Sequence, residues 1–190
     1  MKKETNILEV KNMVCNRCIK VVKQTLDNNV VKYNKVTLGI VYLTKEISKD
    51  VLQKLNRDLK KEGFELIQSN DSKIINKVKT TIIEIIHQGK SKPISQNFSD
   101  FLENKIGMDY SNISRLFSDK EEKTVEQYII EQKIERVKEL LTYNELTLSQ
   151  ISYELDYSSP QHLSKQFKKV TGITPTQFKK TKNRTKLDTI

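Results

Sequence analysis

A repeat at a spacing of 50 residues is the feature that most constrains how this chain folds. Ile113-Ser-Arg-Leu-Phe117 matches Leu163-Ser-Lys-Gln-Phe167 in its order of apolar, hydroxyl, basic and aromatic residues. Thr124-Val-Glu-Gln-Tyr128 matches Thr174-Pro-Thr-Gln-Phe178 at the same spacing. Because chance seldom preserves two such blocks at one spacing, the pattern predicts two copies of one supersecondary unit.

The second copy has the pattern of a helix, a turn and a second helix. Asp156-Tyr157-Ser158 supplies the turn, Ser159 is suited to cap the next helix, and Pro160 is suited to its first position, where no N–H is needed. Helical spacing predicts a buried stripe in each helix, formed by Leu148, Ile151 and Leu155 and then by Leu163, Phe167 and Val170. In the first copy, Gly107-Met108 is the corresponding turn.

The faces opposite these stripes carry short or basic hydrogen-bonding side chains. Such groups are the set that a helix presents when it enters a major groove. An exposed lysine by itself usually only keeps a helix face in contact with water. DNA binding is favoured here because these side chains occur at matching places in the two copies of the repeat. The candidate DNA-binding residues are Ser111, Ser114 and Arg115 in the first copy, and Gln161, Ser164, Lys165 and Lys168 in the second.

A long amphipathic helix is predicted from about Val125 to Thr142, between the two copies. Such a helix would join them rigidly. Both outward helices would then reach successive major grooves, which are roughly 34 Å apart on B-DNA.

The positive charge is concentrated at the end of the chain. The formal net charge is +10, yet residues 94–164 carry 7 basic against 13 acidic residues. Residues 165–190 carry 8 basic residues and one acidic residue, Asp188. We therefore expect DNA phosphates to be held by this last stretch, which includes a basic tail at 183–190.

Residues 94–182 resemble the DNA-binding domain of AraC-type transcription regulators. The resemblance is carried by Gln132-Lys-Ile-Glu-Arg-Val-Lys-Glu-Leu-Leu141, Leu148-Ser-Gln-Ile-Ser-Tyr-Glu-Leu-Asp-Tyr157 and Phe167-Lys-Lys-Val-Thr-Gly-Ile-Thr-Pro175. It implies a regulator that binds double-stranded promoter DNA and has RNA polymerase and a second copy of itself, in a homodimer, as partners. The groove-reading positions that it implies are Ser111, Ser114, Arg115, Gln161, Ser164 and Lys165.

Two departures from the family pattern have physical consequences. Asp156 stands where family members often have Gly, and Asp tolerates a left-handed turn better than most residues. The acidic run Asp119-Lys-Glu-Glu122 follows the first outward helix, which predicts weaker phosphate contact by the first copy.

The first 70 residues show a different pattern, typical of a small α+β sandwich. Strands are expected at Ile7 to Val10, within Lys35 to Leu43, and at Phe64 to Ile67, and helices at Arg17 to Leu26 and Val51 to Lys61. With Met13-Val-Cys-Asn-Arg-Cys18 between the first strand and the first helix, this segment resembles the heavy-metal-associated domain of copper chaperones and metal-transporting ATPases. The resemblance implies a ferredoxin-like βαββαβ fold, with Cys15 and Cys18 as metal ligands and Met13 as a packing residue.

The chemistry of the two cysteines leaves three interpretations open. Two thiolates at a helix start can converge on a soft ion, Cu(I) or Zn(II), and the helix N-terminus with Arg17 would lower their pKa. Cys15 and Cys18 are therefore a metal sensor or binder, a dithiol redox switch, or a vestigial site in a domain kept for protein contacts. A metal-trafficking protein and a thiol oxidoreductase are the rival functions, but neither explains the repeat.

Residues 71–93 are expected to form a linker helix. Within Ser72 to Gln88, Ile75, Val78, Ile82 and Ile85 make a stripe that fits either a helix docked on its own domain or a dimer seam. His87 is expected at the surface. His162 is expected to touch a phosphate or to cap its helix locally.

The complete prediction is an α+β ferredoxin-like domain at 1–70, followed after the linker by an all-α double helix-turn-helix domain at 94–182. No apolar run approaches the ~18 residues of a membrane span, so we expect a cytoplasmic protein. The chain has no phosphate-cradling glycine loop, and its two histidines are well separated, which argues against an enzyme.

Overall fold

A computed structural model describes residues 6–67, 69–89 and 97–187, with side chains up to residue 181. The chain divides into two compact units. Unit one lies within residues 1–83 and 92–117, and unit two lies within residues 84–91 and 118–190. In the described ranges, none of the helices combines the length and the apolar character that crossing a membrane requires.

The start of the chain folds into two helices and a four-stranded antiparallel sheet, which confirms the predicted α+β composition. The strands lie in the order β2-β3-β1-β4, and neighbouring strands are antiparallel. The elements in chain order are β1 (Ile7–Lys11), α1 (Asn16–Asn28), β2 (Tyr33–Thr37), β3 (Ile40–Leu43), α2 (Lys49–Lys61) and β4 (Glu65–Leu66).

Alternation along the strands places the core on one face of this sheet. Val10 pairs with Leu66 and Leu8 pairs with Val41, and all four contribute to one apolar cluster with Leu26, Leu55 and Leu59 of the helices. The last strand is shorter than the predicted Phe64 to Ile67. The N–H of Phe64 donates to the carbonyl of Leu59 at 2.9 Å, so Phe64 closes the end of α2 and packs in the core without joining the strand.

Helix α3 (Asn70–Gln88) follows the sheet and is docked within the chain. Ile75, Val78 and Ile82 of its predicted stripe are buried, which confirms the docked alternative for these residues and leaves them unavailable as a dimer seam. Asn76 of α3 lies against Gly39, in the turn between β2 and β3. The approach is close, since a Cβ added at Gly39 would lie only 2.7 Å from Nδ2 of Asn76.

The rest of the described chain is helical, and both predicted helix pairs are present. The pairs are α4 with α5 and α7 with α8, and α6 is the predicted connecting helix. The bounds are α4 (Phe98–Ile106), α5 (Tyr110–Glu121), α6 (Val125–Tyr143), α7 (Leu148–Glu154), α8 (Pro160–Thr171) and α9 (Pro175–Leu187).

Three of these helices begin with the same reciprocal capping arrangement. Thr124 and Gln127 form a capping box at α6, as do Thr147 and Gln150 at α7. At α9, Thr174 Oγ1 accepts from the N–H of Gln177, and the Gln177 side chain accepts from the N–H of Thr174. Each box satisfies backbone donors that a helix start leaves open, so the boundaries are set by local sequence.

Candidate nucleic-acid interface

Helix α8 has one buried stripe and one solvent-facing side. Leu163 and Phe167 are fully buried, and Phe167 meets Phe178 of α9 edge to face, with ring centroids 5.7 Å apart. The opposite side presents all four predicted residues of this helix. Gln161, Lys165 and Lys168 are exposed and Ser164 is half-buried.

One member of the predicted stripe of α8 lies outside it. Val170 was expected to be buried, but 44% of its surface is exposed. It lies in the last turn of α8, one residue before the helix ends at Thr171. The buried stripe therefore stops at Phe167.

Helix α5 is built in the same way. Ile113 and Phe117 are buried, whereas Ser111 and Arg115 are exposed and Ser114 is half-buried. The three predicted residues lie at i, i+3 and i+4 and therefore share one side of the helix.

The turn between α7 and α8 contains the expected left-handed residue. Asp156 has a φ of 53°, and the N–H of Tyr157 donates to the carbonyl of Ser152 at 2.8 Å. Aspartate tolerates this conformation at a lower cost than most side chains. The left-handed turn is thus formed without a glycine. Ser159 Oγ then accepts from the N–H of His162 and caps α8, with Pro160 at its first position.

Tyr157 joins this turn to two helices, a role that the sequence reading missed. Its hydroxyl donates to Oε1 of Gln166 on α8 at 2.7 Å, and Nζ of Lys133 on α6 lies 5.0 Å from the centre of its ring. The same Nζ donates to the carbonyl of Leu155 at 2.5 Å. Burial raises the pKa of Tyr157 to about 12, so the phenol stays a neutral donor at physiological pH. The one feature of the sequence that could have indicated this role is the position of the tyrosine, directly after a left-handed turn residue.

His162 has local partners at the start of α8. Its Nδ1 lies 3.1 Å from Oγ of Ser158, and its ring stands edge-on to Tyr157 with centroids 5.5 Å apart. The helix cap itself is Ser159, and the exposed His162 lies on the solvent side of the helix.

His87 is half-buried, in contrast to the surface position expected from the sequence. It lies at the end of α3, and its Nε2 is 3.1 Å from Oε1 of Gln132 on α6. Glu139, 3.9 Å from Nδ1, also forms a 2.8 Å ion pair with Arg136. Spacing along α3 could not show this, because the partners belong to a helix about 45 residues later.

The two cysteines meet at the start of α1. Cys15 is the N-cap residue, and its Sγ lies 3.5 Å from Sγ of Cys18. Burial raises the pKa of the Cys15 thiol, but the backbone N–H and thiol of Cys18, together with Arg17, hold that pKa below its ordinary value. Met13 is buried, as expected for a packing residue.

The neighbourhood of the thiols limits the kind of ion that they can hold. Nδ2 of Asn12 donates to the carbonyl of Gly63 at 3.0 Å, which ties the loop before the thiols to the end of α2. Across the described ranges, no group of three or more His, Cys, Asp or Glu side chains converges on a possible metal position. One chain therefore offers a pair of sulfur ligands in its described part, which suits a soft ion better than a hard one.

The chain is similar to known regulators in its helical part. Residues 102–181 match the family model of a helix-turn-helix domain. The xylose operon regulatory protein of Haemophilus influenzae is 35% identical over 69 residues, which are 36% of this chain and 18% of that protein. An uncharacterized HTH-type transcriptional regulator in the cgkA 5'region of Pseudoalteromonas carrageenovora is 33% identical over 76 residues, or 40% of this chain and 45% of that one. The chain thus spans less than half the length of either relative.

A solved structure shares the fold. The DNA-binding transcriptional dual regulator from Escherichia coli K-12 superposes with a TM-score of 0.51 at 18% identity, covering 62% of this chain and 96% of that one. The residues matched by the family model include α5, α6, α7 and α8, with both predicted helix pairs represented. Residues 102–181 therefore match a helix-turn-helix domain in sequence, and the helical part shares its fold with a DNA-binding regulator.

Proposed function

We propose that this chain is a sequence-specific, DNA-binding transcription regulator of the AraC type, whose helices α5 and α8 read a promoter. The observation that carries the proposal is the two-sided construction of α8. Its buried side is fixed by Leu163 and Phe167, while its open side presents Gln161 and Lys165. The sequence of α8 contains no acidic residue, so it approaches DNA phosphates without like-charge repulsion.

The proposed partners follow from the same chemistry. Double-stranded DNA would be held by amide, hydroxyl and basic groups at base edges and by further lysines at phosphates. RNA polymerase and a second copy of the chain complete the proposed set, and the proposed location is the cytoplasm, where promoter DNA is available to a bacterial-type regulator.

The proposal is tested by selection from DNA. The purified, reduced protein is incubated with a pool of genomic DNA fragments, and the retained fragments are sequenced. We expect enrichment of one site. The Gln161→Ala, Lys165→Ala double variant is the matched control and should lose that enrichment. Uniform retention of all fragments by the unmodified protein would contradict sequence-specific reading.

For the N-terminal part we propose a ferredoxin-like, heavy-metal-associated domain that supplies the signal. The order of elements, β1-α1-β2-β3-α2-β4, and the strand order β2-β3-β1-β4 support this assignment. Cys15 and Cys18 would hold the ion as thiolates, and their 3.5 Å separation supports joint ligation. Structural Zn(II) sites take four protein ligands, so two thiolates favour Cu(I).

Thiol oxidation is the alternative signal at the same cysteines. Oxidation would remove two electrons and two protons from the pair and form one disulfide. The selection is therefore repeated with Cu(I), and separately with oxidised glutathione. A site whose enrichment changes with Cu(I) alone supports the metal reading, and a change with oxidised glutathione alone supports the redox switch. Enrichment that is indifferent to both would leave the DNA function standing and overturn both signals.

A further inference from the structure

The turn of the second helix-turn-helix rests on a group of four side chains, Lys133, Tyr157, His162 and Gln166, here named the Tyr157 cluster. They come from α6, from the turn and from α8. The links are the 2.7 Å hydrogen bond from Tyr157 to Gln166, the lysine over the tyrosine ring and the edge-on contact of His162.

We propose that Tyr157 and Lys133 are positioning residues, which fix the angle of α8 and so determine how well the protein distinguishes its DNA site from other DNA. The proposal rests on the proposed function, because it takes α8 as the helix that reads DNA. Neither residue needs to touch a base in order to act.

The geometry explains why the cluster would control an angle. The cap at Ser159 holds only the first turn of α8, and the buried Leu163 and Phe167 hold the helix through apolar contacts, which are non-directional. Gln166 lies about two turns further along, so the bond from Tyr157 gives α8 a second fixed point. Bidentate contacts to base edges tolerate little displacement, so a pivot of α8 should cost specific contacts first.

Lys133 fixes the tyrosine in turn. Its Nζ donates to the carbonyl of Leu155, the C-cap residue of α7, while its charge faces the tyrosine ring. A cation over an aromatic face is attracted by the ring, and more strongly where water is partly excluded. Lys133 thus ties the end of α7 and the turn to α6.

The first helix-turn-helix has no counterpart of the Tyr157–Gln166 pair. At an offset of 50 residues, Leu116 stands in place of Gln166 and Gly107 in place of Tyr157. In that copy, α5 is joined to α4 by the N–H of Tyr110, which donates to Oε1 of Glu103 at 2.6 Å. The side-chain pair of the second copy is therefore an addition to the repeated architecture.

The test compares two tyrosines. Tyr157→Phe removes the hydroxyl from the cluster, and Tyr153→Phe removes one from α7, where 87% of Tyr153 is exposed. Affinity is measured for the selected DNA site and for a shuffled sequence of equal length, together with the melting temperature. We expect Tyr157→Phe to lower affinity for the site about fivefold, the usual weight of one neutral hydrogen bond, and to leave shuffled DNA within about twofold.

A double-mutant cycle of Tyr157→Phe with Gln166→Ala isolates the hydrogen bond between these two side chains. If the two residues act as one contact, the double variant should lose no more specificity than either single variant. Lys133→Gln should reduce the same ratio of site to shuffled affinity. The Tyr153→Phe control should change none of these values.

Three outcomes decide the matter. Equal losses of affinity for both DNAs, accompanied by a lower melting temperature, would mean that the cluster only stabilises the fold. An unchanged ratio in Tyr157→Phe would also overturn the proposal, while the proposed function would stand. An unmodified protein that prefers no site would remove the proposed function, and the positioning role with it.

Discussion

Nε2 of His87, at the end of α3, lies 3.1 Å from Oε1 of Gln132 on α6. Burial lowers the pKa of His87 below its ordinary value, and the hydrogen bond with Gln132 and the charge of Glu139 only partly oppose this. Because the neutral ring is favoured in the folded protein, this contact is sensitive to acid.

The first prediction concerns that sensitivity. A histidine whose pKa is depressed by folding binds its proton more readily when unfolded, so its contribution to stability is present above about 6.5, the ordinary pKa. This contribution is lost as the pH falls below that value towards the lower pKa that His87 has in the folded protein. We expect the free energy of unfolding to fall between pH 7.5 and 5.5, and to fall less in His87→Gln. Urea unfolding followed by circular dichroism measures both, and identical pH profiles would contradict the assignment.

The second prediction concerns base reading by α8. Gln161→Ala with Lys165→Ala should weaken binding to the selected site by about 1–3 kcal/mol for each base contact that is lost. Lys20→Ala, an exposed lysine on α1, is the matched control for charge. A gel-shift preference that survives the double variant would show that α8 is not the reading helix.

The third prediction concerns phosphates. The logarithm of affinity should fall linearly with the logarithm of salt concentration, by about 0.9 for each phosphate that is neutralised. Lys168→Gln and Lys169→Gln on α8 should each make the slope shallower by roughly 1. Lys54→Gln, on α2, should leave it unchanged. A flat salt titration of the unmodified protein would refute phosphate contact by residues 165–190.

The fourth prediction concerns the thiol pair. Because its pKa is lowered, Cys15 should react with iodoacetamide at pH 7 faster than an ordinary thiol does. The Cys15→Ser, Cys18→Ser variant should lose stoichiometric Cu(I) uptake in a competition assay with a coloured chelator. The single exchange Cys18→Ser keeps the Cys15 thiol but removes the thiol that helps to lower its pKa, so Cys15 should be alkylated more slowly in this variant. Uptake retained by the double variant would eliminate the metal site.

Much of the fold followed from patterns local in sequence. Both helix pairs, α6, and the left-handed turn at Asp156 were predictable, because caps and apolar spacing act within a few residues. Errors arose at the ends of elements. Phe64 closes the end of α2 instead of joining its strand, and Val170, in the last turn of α8, is exposed.

The candidate site divides in the same way. Outward positions on α5 and α8 follow from helical geometry once the buried stripe is known, so Ser111, Arg115 and Gln161 lie on the expected faces. Their contacts with DNA stay predictions. The links of Tyr157 to Lys133 and of His87 to Gln132 were not predictable, because each joins residues more than 20 positions apart and no periodicity connects them.

The capping boxes of α6, α7 and α9 bear on the order in which the chain folds. A helix whose start is fixed by side chains three residues apart can form early, within microseconds, because little loop entropy must be lost. The sheet is different, because β1 pairs with β4 through Val10 and Leu66, which lie far apart in the sequence. These two strands can pair only after the chain between them has come together. We expect the helical half to reach its native structure in a fast phase, and the N-terminal sheet to close in a slower one that depends on contact order.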